Sequence, residues 1–286
     1  MGTDVELSIV GAGRCGRTLG RLARRAGWRI GAVTCRSLAH AREAAAFIGA
    51  GRPTTAPEGA ALTLIAVPDA EIEGVAGELR MPPGGVAAHT CASFDAGVLR
   101  PLRPAGSLHP LRSFADPEGA AARFEGTACA IDGDAAARRV LRRFVRAIGG
   151  APIGVKPGRK ALYHAGAVFA SNYVVALMEA SLRLFEEAGI RRSAAIGPLA
   201  ALAEGTLANI RAVGIPQALT GPIERGDAAT VSRHVSAMMN GRMTGLCSAY
   251  VSLGMLTGRV AKAKGSLKGR RLQETLAALV PPDDSP

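Results

Sequence analysis

Four polar side chains recur on one side of a helix predicted over residues 159–188 of this 286-residue chain. At about 100° per residue, Lys160, His164, Ser171 and Asn172 fall within an arc of roughly 120°. Polar groups on an otherwise apolar helix are costly to bury unless they have partners. This face is therefore a candidate catalytic surface, on which His164 can act as an acid or a base near neutral pH.

A second histidine lies at the end of a short predicted strand over residues 107–111. His109 is followed by Pro110, which prevents a helix from starting there. Two interpretations stay open for His109: a catalytic group at a strand end, or a histidine that is hydrogen-bonded to the backbone.

A glycine-rich loop near the N-terminus predicts a phosphate-binding turn. The apolar run over residues 7–10 breaks into Gly-x-Gly-x-x-Gly, and the next residues have helical apolar spacing. In such a turn the first glycine permits the bend, the second lets a pyrophosphate approach, and the third lets the helix pack on the strand. A second apolar strand over residues 29–33 completes a βαβ unit. The residues assigned to a dinucleotide here are Gly11, Ala12, Gly13, Arg14, Cys15 and Gly16.

The end of the second strand indicates which dinucleotide is bound. NAD-specific sites usually place an acidic residue there to hold the ribose 2′-hydroxyl, but this chain has Arg36 and Ser37, and its first acid is Glu43. A guanidinium and a hydroxyl at a helix start suit a 2′-phosphate, which favours NADP(H). Ser37 as a plain helix cap and Arg36 as a surface residue remain the alternatives.

Two further buried strands, predicted over residues 62–67 and 86–90, also end in candidate ligand contacts. The carboxyl ends of parallel strands form the edge at which open α/β sheets bind ligands. The candidates at these ends are Val67, Pro68, Asp69, Cys91 and Ser93.

The order of the patterns predicts an α/β fold, an N-terminal Rossmann doubly wound sheet followed by an all-helical C-terminal dimerisation domain. Strand patterns cease after residue 156, and the segments beyond it have helical spacing. We predict a Rossmann dinucleotide-binding domain over residues 1–156, a helical substrate and dimerisation domain over residues 157–280, and a disordered tail over residues 281–286.

Composition narrows the class of protein. The hydrophobic fraction of 48% and the charged fraction of 20% are those of a globular protein, and the N-terminus lacks a signal-peptide pattern, so we expect a cytoplasmic protein without a membrane partner. The net charge of +12 comes mostly from arginines dispersed through helices, and the dense basic segment over residues 262–271 lacks interleaved aromatics. We therefore expect no nucleic-acid partner, while the five scattered cysteines predict neither disulfides nor a metal site.

Taken together, these motifs resemble the 6-phosphogluconate and β-hydroxyacid dehydrogenase-like superfamily. More narrowly, the chain resembles Rossmann-like NADP-binding proteins whose helical C-terminal half is a domain of unknown function. The motifs that carry the resemblance are residues 11–16, Val-Pro-Asp at 67–69, Leu-His-Pro-Leu at 108–111, Tyr-His-Ala to Ser-Asn-Tyr over 163–173, and the segment 219–227.

The resemblance implies an NADP(H)-dependent reductase that is a homodimer through its helical domain, with the active site between the domains. Relatives include ketopantoate reductase, pyrroline-5-carboxylate reductase and prephenate dehydrogenase. The resemblance favours hydride transfer to a small anionic carbonyl compound, such as a 2-oxo acid of the ketopantoate type. The resemblance also implies that the substrate pocket is formed by His109, His164, Ser171, Asn172 and the loop that begins at Thr220.

One residue departs from the pattern of the relatives. Enzymes of this group that act on ketones or hydroxy acids carry a helix lysine four residues before an asparagine, but Val168 stands four residues before Asn172. Lys160 and His164 lie on the same face one to two turns earlier, so either is a candidate proton donor.

Three alternatives remain open at this point. An imine reductase of the pyrroline-5-carboxylate type needs no protein acid, because its substrate arrives protonated, but the charged segment over residues 224–227 differs from the corresponding loop of those enzymes. A prephenate-type dehydrogenase is disfavoured by the residues that follow Pro110. A non-catalytic NADP-binding sensor would also lack the lysine.

Overall fold

An eight-stranded sheet organises the first part of the chain in the computed structural model, which describes residues 3–241 and 243–280. The strands are β1 (Thr3–Val10), β2 (Trp28–Thr34), β3 (Arg52–Thr54), β4 (Leu62–Ile65), β5 (Val86–His89), β6 (Ala105–Pro110), β7 (Ala128–Gly133) and β8 (Ala151–Gly154). Their spatial order is β3-β2-β1-β4-β5-β6-β7-β8. All neighbouring strands are parallel except β6 and β7, which are antiparallel.

Thirteen helices are found in the described residues. They are α1 (Arg14–Arg25), α2 (Leu38–Ile48), α3 (Ile72–Glu78), α4 (Pro117–Ala122), α5 (Ala135–Ala147), α6 (Lys160–Ala170), α7 (Asn172–Glu187), α8 (Arg192–Val213), α9 (Ile215–Ala218), α10 (Pro222–Arg225), α11 (Ala228–Asn240), α12 (Thr244–Lys264) and α13 (Gly269–Ala277). Short 3-10 turns lie at Asp69–Glu71 and Ala96–Leu99.

Both faces of the sheet are buried, because successive strand residues alternate between two apolar clusters. In β1, Leu7 and Ile9 pack in the larger cluster, with α1, α2 and α5, while Val10 packs in the smaller one, with α3. The alternation accounts for the continuous apolar runs from which strands were predicted. The predicted fold class, a Rossmann-type α/β sheet followed by a helical region, is confirmed.

The predicted single helix over residues 159–188 is wrong. The chain leaves the helical conformation at Ser171, with φ −130° and ψ −72°, so that α6 ends at Ala170 and α7 begins at Asn172. No proline or glycine marks this break in the sequence. The break turns Ser171 and Asn172 into residues of a helix junction.

The contacts divide the chain into two compact units, the first ending at Tyr173 and the second beginning at Val174. The strands cease after β8, as predicted, and α6 belongs to the first unit by its contacts. The second unit has its own cores, among them one around Val235, Met238 and Cys247. The tail predicted over residues 281–286 lies outside the described residues.

One stretch of the described residues, Lys160–Glu187, is long and apolar enough to cross a membrane by length and composition alone. This is weak evidence for a membrane segment. The stretch is divided at Ser171 into helices of 11 and 16 residues, each shorter than the roughly 20 residues that a span needs.

Candidate functional site

The segment from the end of β1 into the first turn of α1 contains two glycines that packing requires and one that faces open space. A Cβ on Gly11, whose φ is +86°, would lie 2.6 Å from Cγ1 of Val67. A Cβ on Gly16 would lie 2.5 Å from the Gly11 carbonyl oxygen, whereas a Cβ on Gly13 would meet no heavy atom within 4 Å. Packing therefore accounts for Gly11 and Gly16, and Gly13 leaves room for a ligand to approach the backbone.

The N-terminus of α1 presents backbone amides to this space. Gly13 precedes the helix, no side chain of the described residues caps it, and its first turn has no acidic residue. The first helical hydrogen bond runs from the Arg17 amide to the Gly13 carbonyl oxygen, at 2.9 Å, so the amides of residues 14–16 lack partners within the helix. The donor set and the open space fit the pyrophosphate of a dinucleotide.

An open pocket of about 590 Å³ lies at the carboxyl ends of β1, β2 and β4. The strand order reverses between β1 and β4, which is where open α/β sheets bind dinucleotides. Sequence reasoning missed Arg17 and His40 in the wall of this pocket; the only signal for Arg17 was its position directly after the third glycine. The predicted cofactor residues that line the pocket are Gly11, Ala12, Gly13, Arg36, Val67 and Pro68.

The side chain of Arg36 is 89% exposed at the rim of this pocket. Its nearest carboxylate belongs to Glu71, at 3.9 Å, and an exposed pair of this kind contributes little to stability. The guanidinium is thus accessible to a ligand phosphate. Ser37 acts as the cap of α2, since its hydroxyl accepts from the His40 amide at 3.3 Å.

The remaining predicted cofactor residues lie beside the pocket rather than in its wall. Arg14 is exposed at the start of α1, and Cys15 packs against the core, where burial raises the pKa of its thiol to about 12. Asp69, Cys91 and Ser93 meet where β4 and β5 end. The Ser93 hydroxyl lies 3.2 Å from Sγ of Cys91 and 3.4 Å from Oδ2 of Asp69. These three residues therefore link the ends of two strands.

A second open pocket, of about 620 Å³, lies at the end of β6 against α6. Because β6 is parallel to β5, its carboxyl end is on the same sheet edge as the glycine loop, and only β4 and β5 separate it from β1. At about 4.8 Å per strand, the offset between β1 and β6 is roughly 14 Å. The predicted catalytic residues that line this second pocket are His109, His164, Ser171 and Asn172.

His109 is held by Tyr163, which the sequence-based selection of site residues omitted. Nδ1 of His109 lies 2.9 Å from the Tyr163 hydroxyl, and the two rings meet edge-on. Burial, reinforced by the nearby charge of Lys160, lowers the pKa of His109 to about 4, and burial raises the pKa of Tyr163 to about 12. At neutral pH the pair is therefore a neutral imidazole and a protonated phenol.

His164 lies beside this pair in the same pocket. Its ring centroid is 6.4 Å from that of His109, and its buried Nδ1 has no hydrogen-bond partner among the described residues. A buried polar atom without a partner costs roughly 1–3 kcal/mol. A ligand in the pocket can supply that partner.

Lys160 lies beneath the pocket rather than in its wall. Its ammonium group is buried and donates to the carbonyl oxygen of Cys91 at 3.1 Å and to the hydroxyl of Ser107 at 2.7 Å. Burial lowers the pKa of Lys160. Lys160 thus ties the start of α6 to β5 and β6, while Val168 does line the pocket.

Thr220 lies in the second unit, exposed, in the turn before α10. Basic residues from the segment over 262–271 hold this turn. Nζ of Lys264 bonds to the Leu219 carbonyl oxygen and pairs with Glu224, both at 2.9 Å, and Arg271 donates to the Arg225 carbonyl oxygen. The segment therefore has a structural role in fixing the loop. Across residues 3–241 and 243–280, no group of three or more His, Cys, Asp or Glu residues is placed to hold a metal ion.

Two family models match separate parts of the chain. Residues 2–112 match the model of a Rossmann-like domain, and residues 127–257 match the model of a domain of unknown function, DUF2520. The predicted resemblance to Rossmann-like proteins with such a helical C-terminal half is confirmed. No curated protein matches the chain.

Solved structures share the fold over nearly the whole chain. Protein TM1727 from Thermotoga maritima is 25% identical with a TM-score of 0.74, covering 91% of this chain and 99% of its own. The putative NADP oxidoreductase BF3122 from Bacteroides fragilis is 17% identical, with a TM-score of 0.66 and coverage of 92% and 99%. The 1-pyrroline-5-carboxylate reductase from Streptococcus pyogenes is 14% identical, with a TM-score of 0.60 and coverage of 91% and 98%.

The lowered histidine pKa values predict that the free energy of unfolding falls as the pH drops from about 6.5 to about 4. The pKa values of both His89 and His109 are lowered from 6.5 to about 4 in the folded protein. In this window the unfolded chain binds protons that the folded protein does not, so acidification favours unfolding. Urea unfolding followed by the fluorescence of Trp28, the single tryptophan, measures the effect.

The variant His109→Gln removes one of the two groups and should make the pH dependence shallower. His234→Gln is the matched control, because His234 is exposed in the second unit, and it should keep the wild-type profile. An unchanged slope in His109→Gln would contradict the assignment.

Proposed function

We propose that the protein is an NADPH-dependent reductase that acts on a small anionic carbonyl compound, such as a 2-oxo acid of the ketopantoate type. The observation that carries the proposal is the placement of two pockets on one edge of one sheet. The glycine loop follows β1, and the His109–Tyr163 pair lies at the end of β6, three strands further along the same edge. The fold shared with the putative NADP oxidoreductase BF3122 and with a pyrroline-5-carboxylate reductase supports it.

The residues that would hold the cofactor are those of the first pocket. The amides at the start of α1 and the open side of Gly13 would bind the pyrophosphate, with Arg17 beside them. Arg36 would bind a 2′-phosphate at the rim. When bound, NADPH supplies the hydride, so the chain must provide binding, orientation and a proton.

In the second pocket, the Tyr163 hydroxyl is the proposed proton source for reduction of a ketone. The imidazolium form of His109 is scarce at neutral pH because burial lowers its pKa to about 4, whereas the phenol of Tyr163 keeps its proton. Donation from Nδ1–H of His109 to the Tyr163 oxygen across the 2.9 Å contact would hold the phenol in place and leave its proton free for the substrate. His164 and Asn172 offer further hydrogen bonds to the substrate.

A second candidate function is reduction of an imine. Val168 replaces the lysine in the pocket wall, and Lys160 is occupied beneath it, so a substrate that arrives protonated suits this site. The shared fold of a 1-pyrroline-5-carboxylate reductase is consistent with this alternative.

Steady-state oxidation of NADPH with a 2-oxo acid panel that includes ketopantoate, compared with 1-pyrroline-5-carboxylate, tests both functions. We expect turnover of 2-oxo acids, and a loss of about 100-fold in Tyr163→Phe, because general acid catalysis contributes roughly 10²–10⁴-fold. Reduction of the imine should be much less affected by this change. Tyr173→Phe is the control and should keep the wild-type rate, since the Tyr173 ring meets Phe169 edge-on and is not among the residues that line the pocket.

Turnover of the imine alone would refute the ketone assignment. Oxidation of NADPH by neither class, despite tight NADPH binding, would instead favour a sensor that binds NADP without catalysis.

Arg36 should determine the choice between the two nicotinamide dinucleotides. Hydrogen bonds to charged groups contribute roughly 1.5–3 kcal/mol, so one good contact to the 2′-phosphate should give a preference of about 10- to 100-fold for NADPH. Titration of both nucleotides should show that Arg36→Ala loses this preference and that Arg36→Asp reverses it. Arg139→Ala, an exposed arginine on α5, should retain it. Equal binding of NADPH and NADH by the wild type would rule out the role of Arg36.

We also propose that a second copy of this chain covers the apolar surface of α7 and α8. The side chains of Val175, Leu202 and Leu207 are 72%, 68% and 51% exposed, and exposed apolar surface of this extent is typical of interaction sites. Light scattering at micromolar concentration should give the mass of a dimer, and Val175→Asp with Leu202→Asp should give a monomer. A monomeric wild type would contradict the proposal.

A further inference from the structure

The wall of the pocket at the end of β6 contains a guanidinium group with no role in the steps proposed above. Arg112 follows His109 by three residues and lines the same pocket. Its Nε donates to the Thr127 hydroxyl at 3.0 Å, and its backbone amide donates to the Pro110 carbonyl oxygen at 2.9 Å. One bond fixes the backbone and the other fixes the head of the side chain. Among the described residues, neither terminal nitrogen of Arg112 has a hydrogen-bond partner.

The charge of Arg112 is not offset by a neighbouring acid. No carboxylate of the described residues lies within 4.0 Å of its guanidinium, although Arg17, Arg21 and Arg103 of the same unit all have such partners. The described wall of the pocket also contains no aspartate or glutamate. A half-buried cation without a counter-ion favours the binding of an anion.

The orientation of the group narrows the class of anion. Because Nε is engaged by Thr127, the two terminal nitrogens of the guanidinium, which lie in one plane, are the ones left for a ligand of this pocket. Two parallel N–H donors match the two oxygens of a planar carboxylate, and such paired bonds are both directional and strong.

We propose that Arg112 forms a carboxylate subsite, which binds the acid group of the substrate and so places its reducible carbon beside His109 and Tyr163. The inference rests on the proposed function for the location of the chemistry. It deepens that function by naming the residue that binds the acid group of the substrate, whether the reduced bond is C=O or C=N. Thr127 is a positioning residue, since it acts only through the side chain of Arg112.

Binding of non-reducible acids tests the subsite without reference to catalysis. Three pairs of matched probes serve: oxamate and oxamide, isobutyrate and isobutyramide, cyclopentanecarboxylate and cyclopentanecarboxamide. Each is titrated by calorimetry into the full-length protein saturated with NADP⁺. We expect at least one acid to bind about 10-fold or more tightly than its amide, because hydrogen bonds between two charged groups are stronger than those of a neutral amide.

Variants then assign the preference to Arg112. Arg112→Met should weaken binding of the preferred acid by about 10- to 100-fold and leave its amide unchanged. Arg112→Lys should retain part of the preference, and Thr127→Val should lose a smaller part, because the guanidinium is no longer held in place. Arg139→Met removes the same charge from an exposed position on α5 and should have no effect. Unchanged NADPH affinity and an unchanged melting temperature show that each variant is folded, and Arg112→Lys with Thr127→Val decide the matter if Arg112→Met does not fold.

Equal binding of acid and amide in all three pairs would overturn the subsite, as would an acid preference that persists in Arg112→Met. Failure of the proposed function gives a different result: acids would bind through Arg112, yet neither 2-oxo acids nor imines would oxidise NADPH. Conversely, reduction of neutral imines without any preference for acids would support the reductase and refute the subsite.

Discussion

A buried ammonium group holds α6 against the edge of the sheet, and the pocket at the end of β6 depends on it. Burying the charge of Lys160 is tolerable because its Nζ donates to the Cys91 carbonyl oxygen and to the Ser107 hydroxyl. Tyr163 lies one turn further along α6, and His109 lies two residues beyond Ser107 on β6. Three helical residues advance by about 4.5 Å and two strand residues by about 6.6 Å, so the helix and the strand run alongside each other in one register. A shift of α6 along β6 would strip the lysine of its partners and separate the tyrosine from the histidine.

The same ammonium group also affects protonation in the pocket above it. Its positive charge adds to burial in lowering the pKa of His109, so that the imidazole is neutral when it meets the Tyr163 hydroxyl. Lys160 therefore contributes both to the geometry of the pair and, in addition to burial, to its protonation state. The described wall of the pocket contains no lysine, yet it holds a polar pair with a defined hydrogen bond.

Most of the sheet could be predicted because its strands are buried on both faces, so that each strand is a continuous apolar run in the sequence. The strand β3 was missed, since Arg52 to Thr54 is a short edge strand with no apolar run, and the break at Ser171 was missed because nothing in its local sequence disfavours a helix. The glycine loop was predictable from local spacing, as was the face that carries His164.

The contacts that define the second pocket could not be predicted in this way. Tyr163 and His109 are 54 residues apart, and Lys160 reaches Cys91 across 69 residues. Periodicity assigns a residue to a face but does not identify the residue opposite it. The sequence places Lys160 and His164 on one helical face, yet their roles differ. Lys160 is buried and supports the pocket from below, whereas His164 lies in the pocket wall. Arg112 belongs to none of the motifs recognised in the sequence. It became a candidate because its side chain is held by Thr127 and has no counter-ion among the described residues.

The open space around Gly13 has a consequence for protein engineering. Its backbone is extended, with φ −68° and ψ −160°, and a methyl group there would touch nothing, so both the fold and the backbone accept alanine. Replacing a glycine at a permissive position generally stabilises a protein by restricting its unfolded chain. A screen that scores thermal stability alone would therefore enrich alanine at residue 13, and the enriched proteins would have a methyl group in the space that a pyrophosphate would need. Selection for thermal stability would thus favour alanine at residue 13, whereas selection for ligand binding would favour glycine.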